Sequence, residues 1–170
     1  MHRRTIRRIR RRLNLILAAA ASGLALGPGV EPAQGIPIDW ANSAGNSSFT
    51  AGPSWVGGIA PGVGDIGVFT NQAIVQQPAL AGPASVDGLR FDSTSGAWNL
   101  TGAGTLTLGA DGMTFTNLDA ATARTSTISP SIILGADQTW SSIRGAQNMT
   151  AVITGKISGS SNLTIQTSNA

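Results

Sequence analysis

The run Thr105, Leu106, Thr107, Leu108, Gly109, Ala110, Asp111, Gly112 returns 26 residues later as Ser131, Ile132, Ile133, Leu134, Gly135, Ala136, Asp137, Gln138. A short strand ending in Leu-Gly-Ala-Asp therefore recurs at about the length of one coil of a β-solenoid, whose turns each supply a few short strands and stack. Such a spacing restricts what the chain can become. Apolar residues must fill a narrow lumen shared by successive coils, and polar ones must stack as ladders on its outer faces.

Charge divides the 170 residues unevenly. Seven of the 11 basic residues, Arg3, Arg4, Arg7, Arg8, Arg10, Arg11 and Arg12, fall in the first twelve positions. Beyond them only Arg90, Arg124, Arg144 and Lys156 face all 8 acids, so the body is mildly acidic and offers no basic face for nucleic acid. An apolar, alanine-rich stretch follows at 13–26, too short for a comfortable membrane span. Then come the breakers Gly27, Pro28, Gly29 and Pro32 and the small-x-small site Ala33, Gln34, Gly35. Basic start, short apolar core and small-residue exit predict a secretory signal peptide over 1–35, cleaved near Gly35, with membrane contact only during export. There are 0 cysteines, so export brings no disulfide stapling, and stability must come from packing and backbone pairing.

Residues 36–70 read as a turn-rich module. Trp40, Phe49, Trp55 and Phe69 are separated by Pro53, Gly57-Gly58, Pro61-Gly62 and Gly64-Asp65, which enforce turns. A solenoid end exposes its outermost coil, so this segment is expected to act as an N-terminal aromatic cap. From residue 71 to 170 the pattern is period two in short runs, at 73–75, 85–91, 97–100, 105–108, 113–115, 125–129, 131–134, 138–140, 149–153 and 163–167. Turn formers separate them, among them Asp87-Gly88 and Gly109-Ala110-Asp111-Gly112. The fold class is all-β, a parallel β-helix or solenoid of three to four coils, with a β-sandwich as the alternative.

Trp40, Trp55, Gly57-Gly58, Ala60-Pro61, Gly64-Asp65 and Phe69 are followed by Gly88-Leu89-Arg90-Phe91, Trp98, Leu100 and Leu106-Thr107-Leu108. Gln138-Thr139-Trp140 and Gly155-Lys156-Ile157-Ser158-Gly159 come next. In this order the residues resemble the N-terminal part of bacterial proteins carrying autotransporter-associated β-strand repeats. The resemblance spans roughly residues 38–165 and implies an exported passenger built as a right-handed parallel β-helix. After Gly159 that family continues with a glycine and a Leu-x-Lys-x-Gly-x-Gly strand and turn, whereas here Ser160, Ser161, Asn162 and Leu163 lead into Ile165, Gln166, Thr167. The solenoid is therefore expected to be incomplete, with an open coil near 163–167 that pairs with further chain or another molecule.

Candidate chemistry is sparse. The single histidine, His2, lies in the signal segment, so the body cannot assemble a Ser-His-Asp site or a histidine metal site, and no thiol nucleophile exists. Asp111 and Asp137, if one coil apart, would sit about 5 Å from each other on one edge, as a general-acid pair or a calcium site. Asp after Gly-Ala at a strand end is more ordinarily a corner residue, and that is the role assigned to both. Trp40, Trp55, Trp98 and Trp140, if exposed in a row, would stack on sugar rings; as core or cap they would not.

The expected protein is thus a non-enzymatic, structural or adhesive β-solenoid segment, secreted or on the outer cell surface, with no catalytic residues, cofactor or metal. Its expected partners are surface polysaccharide or a host or neighbouring cell surface. A secreted carbohydrate-binding β-domain is the first alternative, and a polysaccharide-cleaving β-helix the second.

Overall fold

The computed structural model describes residues 34–70 and 73–169. Of the expected signal segment, all but Gln34 and Gly35 lie outside the described residues. The body is a β-solenoid of about 5 turns. Its strands are β1 (Ile36–Asp39), β2 (Asp65–Phe69), β3 (Pro83–Ser93), β4 (Thr105–Asn117) and β5 (Arg124–Ile128), then β6 (Ser131–Leu134), β7 (Gln138–Arg144), β8 (Met149–Ile153), β9 (Ile157–Gly159) and β10 (Leu163–Asn169).

Every ladder between these strands is parallel, which excludes the Greek-key sandwich and its antiparallel hairpins. Three faces emerge. The first stacks β1, β2, the second half of β3, the second half of β4, β7 and β10. The second stacks the first halves of β3 and β4 with β6 and β9. The third pairs β5 with β8 and continues through single bridges Ser48–Ala79, Ala79–Thr101 and Leu100–Ile128.

The repeated run does occupy neighbouring coils. Thr105, Leu106, Thr107 and Leu108 pair in register with Ser131, Ile132, Ile133 and Leu134. Inside, Leu106 and Ile132 form one buried column and Leu108 and Leu134 another, while Ser85, Thr107, Ile133 and Ser158 align on the outer side. Period-two alternation within each strand sends each column to its own side.

On the first face the interior column is aromatic. Phe69, Phe91 and Phe115 are register partners, and their rings stack nearly parallel, with centroids 4.8 and 4.9 Å apart and interplanar angles of 5° and 8°. Ring spacing equals strand spacing, so the backbone ladder and the ring stack reinforce one another. Trp40 lies against Phe69 at 5.6 Å, and Trp55 makes edge contacts with Trp40 at 5.1 Å and Phe49 at 5.2 Å.

Two expectations change. β1 and β2 of the turn-rich aromatic segment 36–70 join the same parallel face as β3, and the aromatic loop between them fills the first coil. That brings the count from three or four coils to about 5. Gly109 to Gly112 was expected to end a strand, yet β4 runs through it, because Leu108 and Met113 on either side are both held by parallel neighbours. The bend is absorbed at glycines: Gly112 has φ 62°, and a Cβ there would run into the Thr139 carbonyl.

Phe91 is the middle ring of the stack and 0% exposed. Phe91→Ala is expected to lower the unfolding free energy by about 3–5 kcal/mol. Val63, 87% exposed, is expected to shift it by less than about 0.5 kcal/mol on replacement by alanine. Urea titrations of the two variants, read by tryptophan fluorescence, check the contrast.

Candidate functional site

The corner between the second and first faces carries the carboxylates. Asp87 directly follows the first half of β3, and its Oδ1 accepts the Ala110 N–H of the next coil at 3.1 Å. Asp137 follows β6, and its two oxygens accept the Asn162 backbone N–H at 2.7 Å and the Asn162 side-chain N–H at 2.9 Å, again one coil on. These aspartates tie coil to coil. The local turn bonding expected of a Gly-Ala-Asp corner is not what holds Asp137.

Asp111 and Asp137 do not stack. The offset between neighbouring coils is 26 at Leu108–Leu134 but 27 at Met113–Trp140, so one extra residue is taken up at the corner and Asp111 loses its equivalence to Asp137. Asp111 turns toward Gly88 instead, and its Oδ2 accepts the Gly35 N–H at 2.8 Å. Glycine is required at 88, because a Cβ there would lie 2.7 Å from the Asp111 Cβ. The carboxylate that Asp111 does face is Asp87, whose carboxyl is pushed above the ordinary value. Burial is the main cause, the Ala110 N–H opposes it, and the neighbouring Asp111 carboxylate adds to the rise.

Asp92 is also raised, by burial first, with the Arg90 guanidinium opposing at 3.4 Å. Asp119 is lowered, chiefly by the Ala121 N–H at 2.8 Å and also by its ion pair with Arg124, and it shapes the loop after β4. Buried Asn117 completes that loop, its amide donating to the carbonyls of Thr122 at 3.0 Å and Asn148 at 2.8 Å. Near the start of the chain Asn42, at φ 50°, accepts the N–H groups of Val75 and Gln76 and donates to Ala73. Asp87 and these two asparagines escaped the sequence reading. Only the Asp87-Gly88 pair carried a signal, a carboxylate followed by the one residue that leaves room for another.

Of the two readings of the tryptophans, the structure has the core one. Trp40, Trp55, Trp98 and Trp140 are between 1% and 5% exposed, so no ring face is available to a sugar. Their indole N–H groups are also taken, by the carbonyls of Gln76, Phe49 and Thr70 and by the Gln138 side chain, at 2.7–3.1 Å. Among the described residues no three His, Cys, Asp or Glu side chains converge on one point.

Comparison with protein-family models, curated proteins and solved structures found no match. An apolar concavity lies toward the C-terminal end of the described residues, where Ser142 and Thr167 take the positions above Phe115 in the ring column. Room opens over the last ring, a cavity of about 290 Å³ lined by Phe115, Trp140, Met149, Ile153, Ile165 and Thr167.

Asp87 and Asp137 should give opposite pH dependences. Asp137, lowered by its bonds to Asn162, contributes stability that is present above the ordinary value of 3.8 and is lost as pH falls through its folded value. Asp87, raised, binds a proton more readily folded than unfolded, so stability declines as pH rises from 3.8 through its folded value. Asp137→Asn is therefore expected to flatten the acid loss of stability. Asp87→Asn should match or exceed the wild type at neutral pH, since an amide oxygen still accepts from Ala110 without facing a second charge. Urea midpoints between about pH 2 and pH 7 read both slopes.

Proposed function

We propose that the chain is an exported, non-enzymatic β-solenoid segment of a secreted or cell-surface protein, serving as a stiff spacer that presents adhesive surface. The observation that carries this reading is the first face, six parallel strands in unbroken register from β1 to β10. Its outward column, Arg90, Thr114, Ser141 and Gln166, ends in hydroxyl and amide groups. Such a ladder resists bending because deformation strains many backbone bonds together, and its short polar side chains offer hydrogen bonds to a surface polysaccharide or a neighbouring cell. The resemblance to autotransporter-associated repeat proteins supports the same placement outside the cell.

Of the alternatives, carbohydrate binding through tryptophan stacking loses its basis with all four rings inside. Polysaccharide cleavage would have to use Asp87 and Asp111. Both already spend an oxygen on a backbone N–H, at 3.1 and 2.8 Å, as structural corners do.

Mass spectrometry of the protein after expression in a bacterial host tests the export reading. The secreted or surface fraction is expected to begin just after Gly35. An intact N terminus confined to the cytoplasm would contradict it.

A further inference from the structure

The outward side of the first face is interrupted at one place. Leu89 and Met113 are buried in the lumen, so period two sends Gly88 and Arg90 outward on one rung and Gly112 and Thr114 outward on the next. Gly88 and Gly112 are register partners, as are Arg90 and Thr114. Two side chains are therefore missing side by side. The surface sinks there into a notch of about 140 Å³ lined by Ile66, Gly88, Arg90, Asp111 and Thr114, with Gln34 also in contact with it. Its walls come from three successive rungs, β2, β3 and β4.

The polar groups of the notch differ in kind. The Asp111 carboxylate only accepts, the Arg90 guanidinium only donates, and the Thr114 hydroxyl does both. Both charges already have partners. Arg90 meets Asp92 through Nε at 3.4 Å with its side chain 48% exposed, and Asp111 receives the Gly35 N–H on Oδ2 at 2.8 Å. What the site has left to offer is hydrogen bonding, from the terminal nitrogens of Arg90, Asp111 Oδ1 and Thr114 Oγ1.

Ligand charge is penalised from either side. An anion meets Asp111 and, beside it, Asp87, while a cation meets Arg90. Two adjacent neutral hydroxyls, in contrast, donate to the carboxylate and accept from the guanidinium without bringing a charge. The Ile66 side chain gives the C–H groups of a sugar ring an apolar wall.

We propose that this notch binds one neutral sugar unit, with Asp111 accepting from one hydroxyl while Arg90 and Thr114 donate to its neighbour. The inference deepens the adhesive reading by giving that surface a defined site, and it rests on that reading for a polysaccharide as the source of the sugar. Cleavage after Gly35 would take Gln34 and Gly35 away from the notch and release Asp111 Oδ2 for a further bond. With so few bonds a single unit is held weakly, with a Kd of roughly millimolar order.

Nuclear magnetic resonance titration of the full chain with glucose, galactose and mannose tests it, read at the backbone amides of Gly88, Arg90, Gly112 and Thr114. At least one of these hexoses is expected to give saturable shifts there, and sodium glucuronate and glycine to give none at equal concentration. Thr114→Val, which keeps the shape, and Arg90→Ala should each weaken binding about three- to tenfold, whereas Ser85→Ala on the second face should leave it unchanged. Urea midpoints establish that the variants are folded. Absence of saturable shifts with all three hexoses overturns the proposal. So does equal or tighter binding of glucuronate or glycine, which would mean that charge is recognised. Wild-type affinity in both Thr114→Val and Arg90→Ala also overturns it, since the sugar would then sit elsewhere. None of these outcomes alters the N terminus of the secreted fraction, so the export reading stands or falls separately.

Discussion

Stacking at the parallel strand spacing is the constraint on which the rest of this structure depends. Neighbouring strands in a sheet lie about 4.8 Å apart, and that distance also suits an offset stack of aromatic rings. Phe69, Phe91 and Phe115 meet both conditions at once, with centroids 4.8 and 4.9 Å apart. No coil can bury its own interior, so each ring is desolvated by the coil above and the coil below. Loops between strands are free to differ in length provided that the column is restored at the next rung.

That freedom explains what could and could not be read from the sequence. The Leu-Gly-Ala-Asp echo exposed one coil because Thr105 to Leu108 and Ser131 to Leu134 happen to share both register and residue type. The phenylalanine column left no comparable trace, since its members are spaced by 22 and then 24 residues and the following positions are Ser142 and Thr167. No single period connects them. β1 and β2 were hidden for another reason. Glycines, prolines and aromatics around Trp40 and Trp55 look like a separate module, although the flanking strands enter the common face.

The carboxylates show how one residue of slippage redirects chemistry. With a constant offset Asp111 and Asp137 would have formed a pair across adjacent coils. The extra residue at the corner leaves Asp137 to grip Asn162 and turns Asp111 to Gly35 and Asp87. Backbone N–H groups satisfy these acids, and corners built this way pin the angle between faces. The tryptophans follow the same logic, since each ring fills volume where a loop meets the lumen and each indole N–H finds an acceptor there.

The stacked register itself is open to direct measurement. The chain has 0 cysteines, so spin labels attach only where cysteine is introduced. The outward column Ser85, Thr107, Ile133 and Ser158 supplies positions one, two and three rungs apart. Dipolar broadening between labels at Ser85 and each of the other three should report backbone separations rising in equal steps of about 5, 10 and 14 Å. Separations that do not rise with rung number would contradict the solenoid and everything inferred from its register.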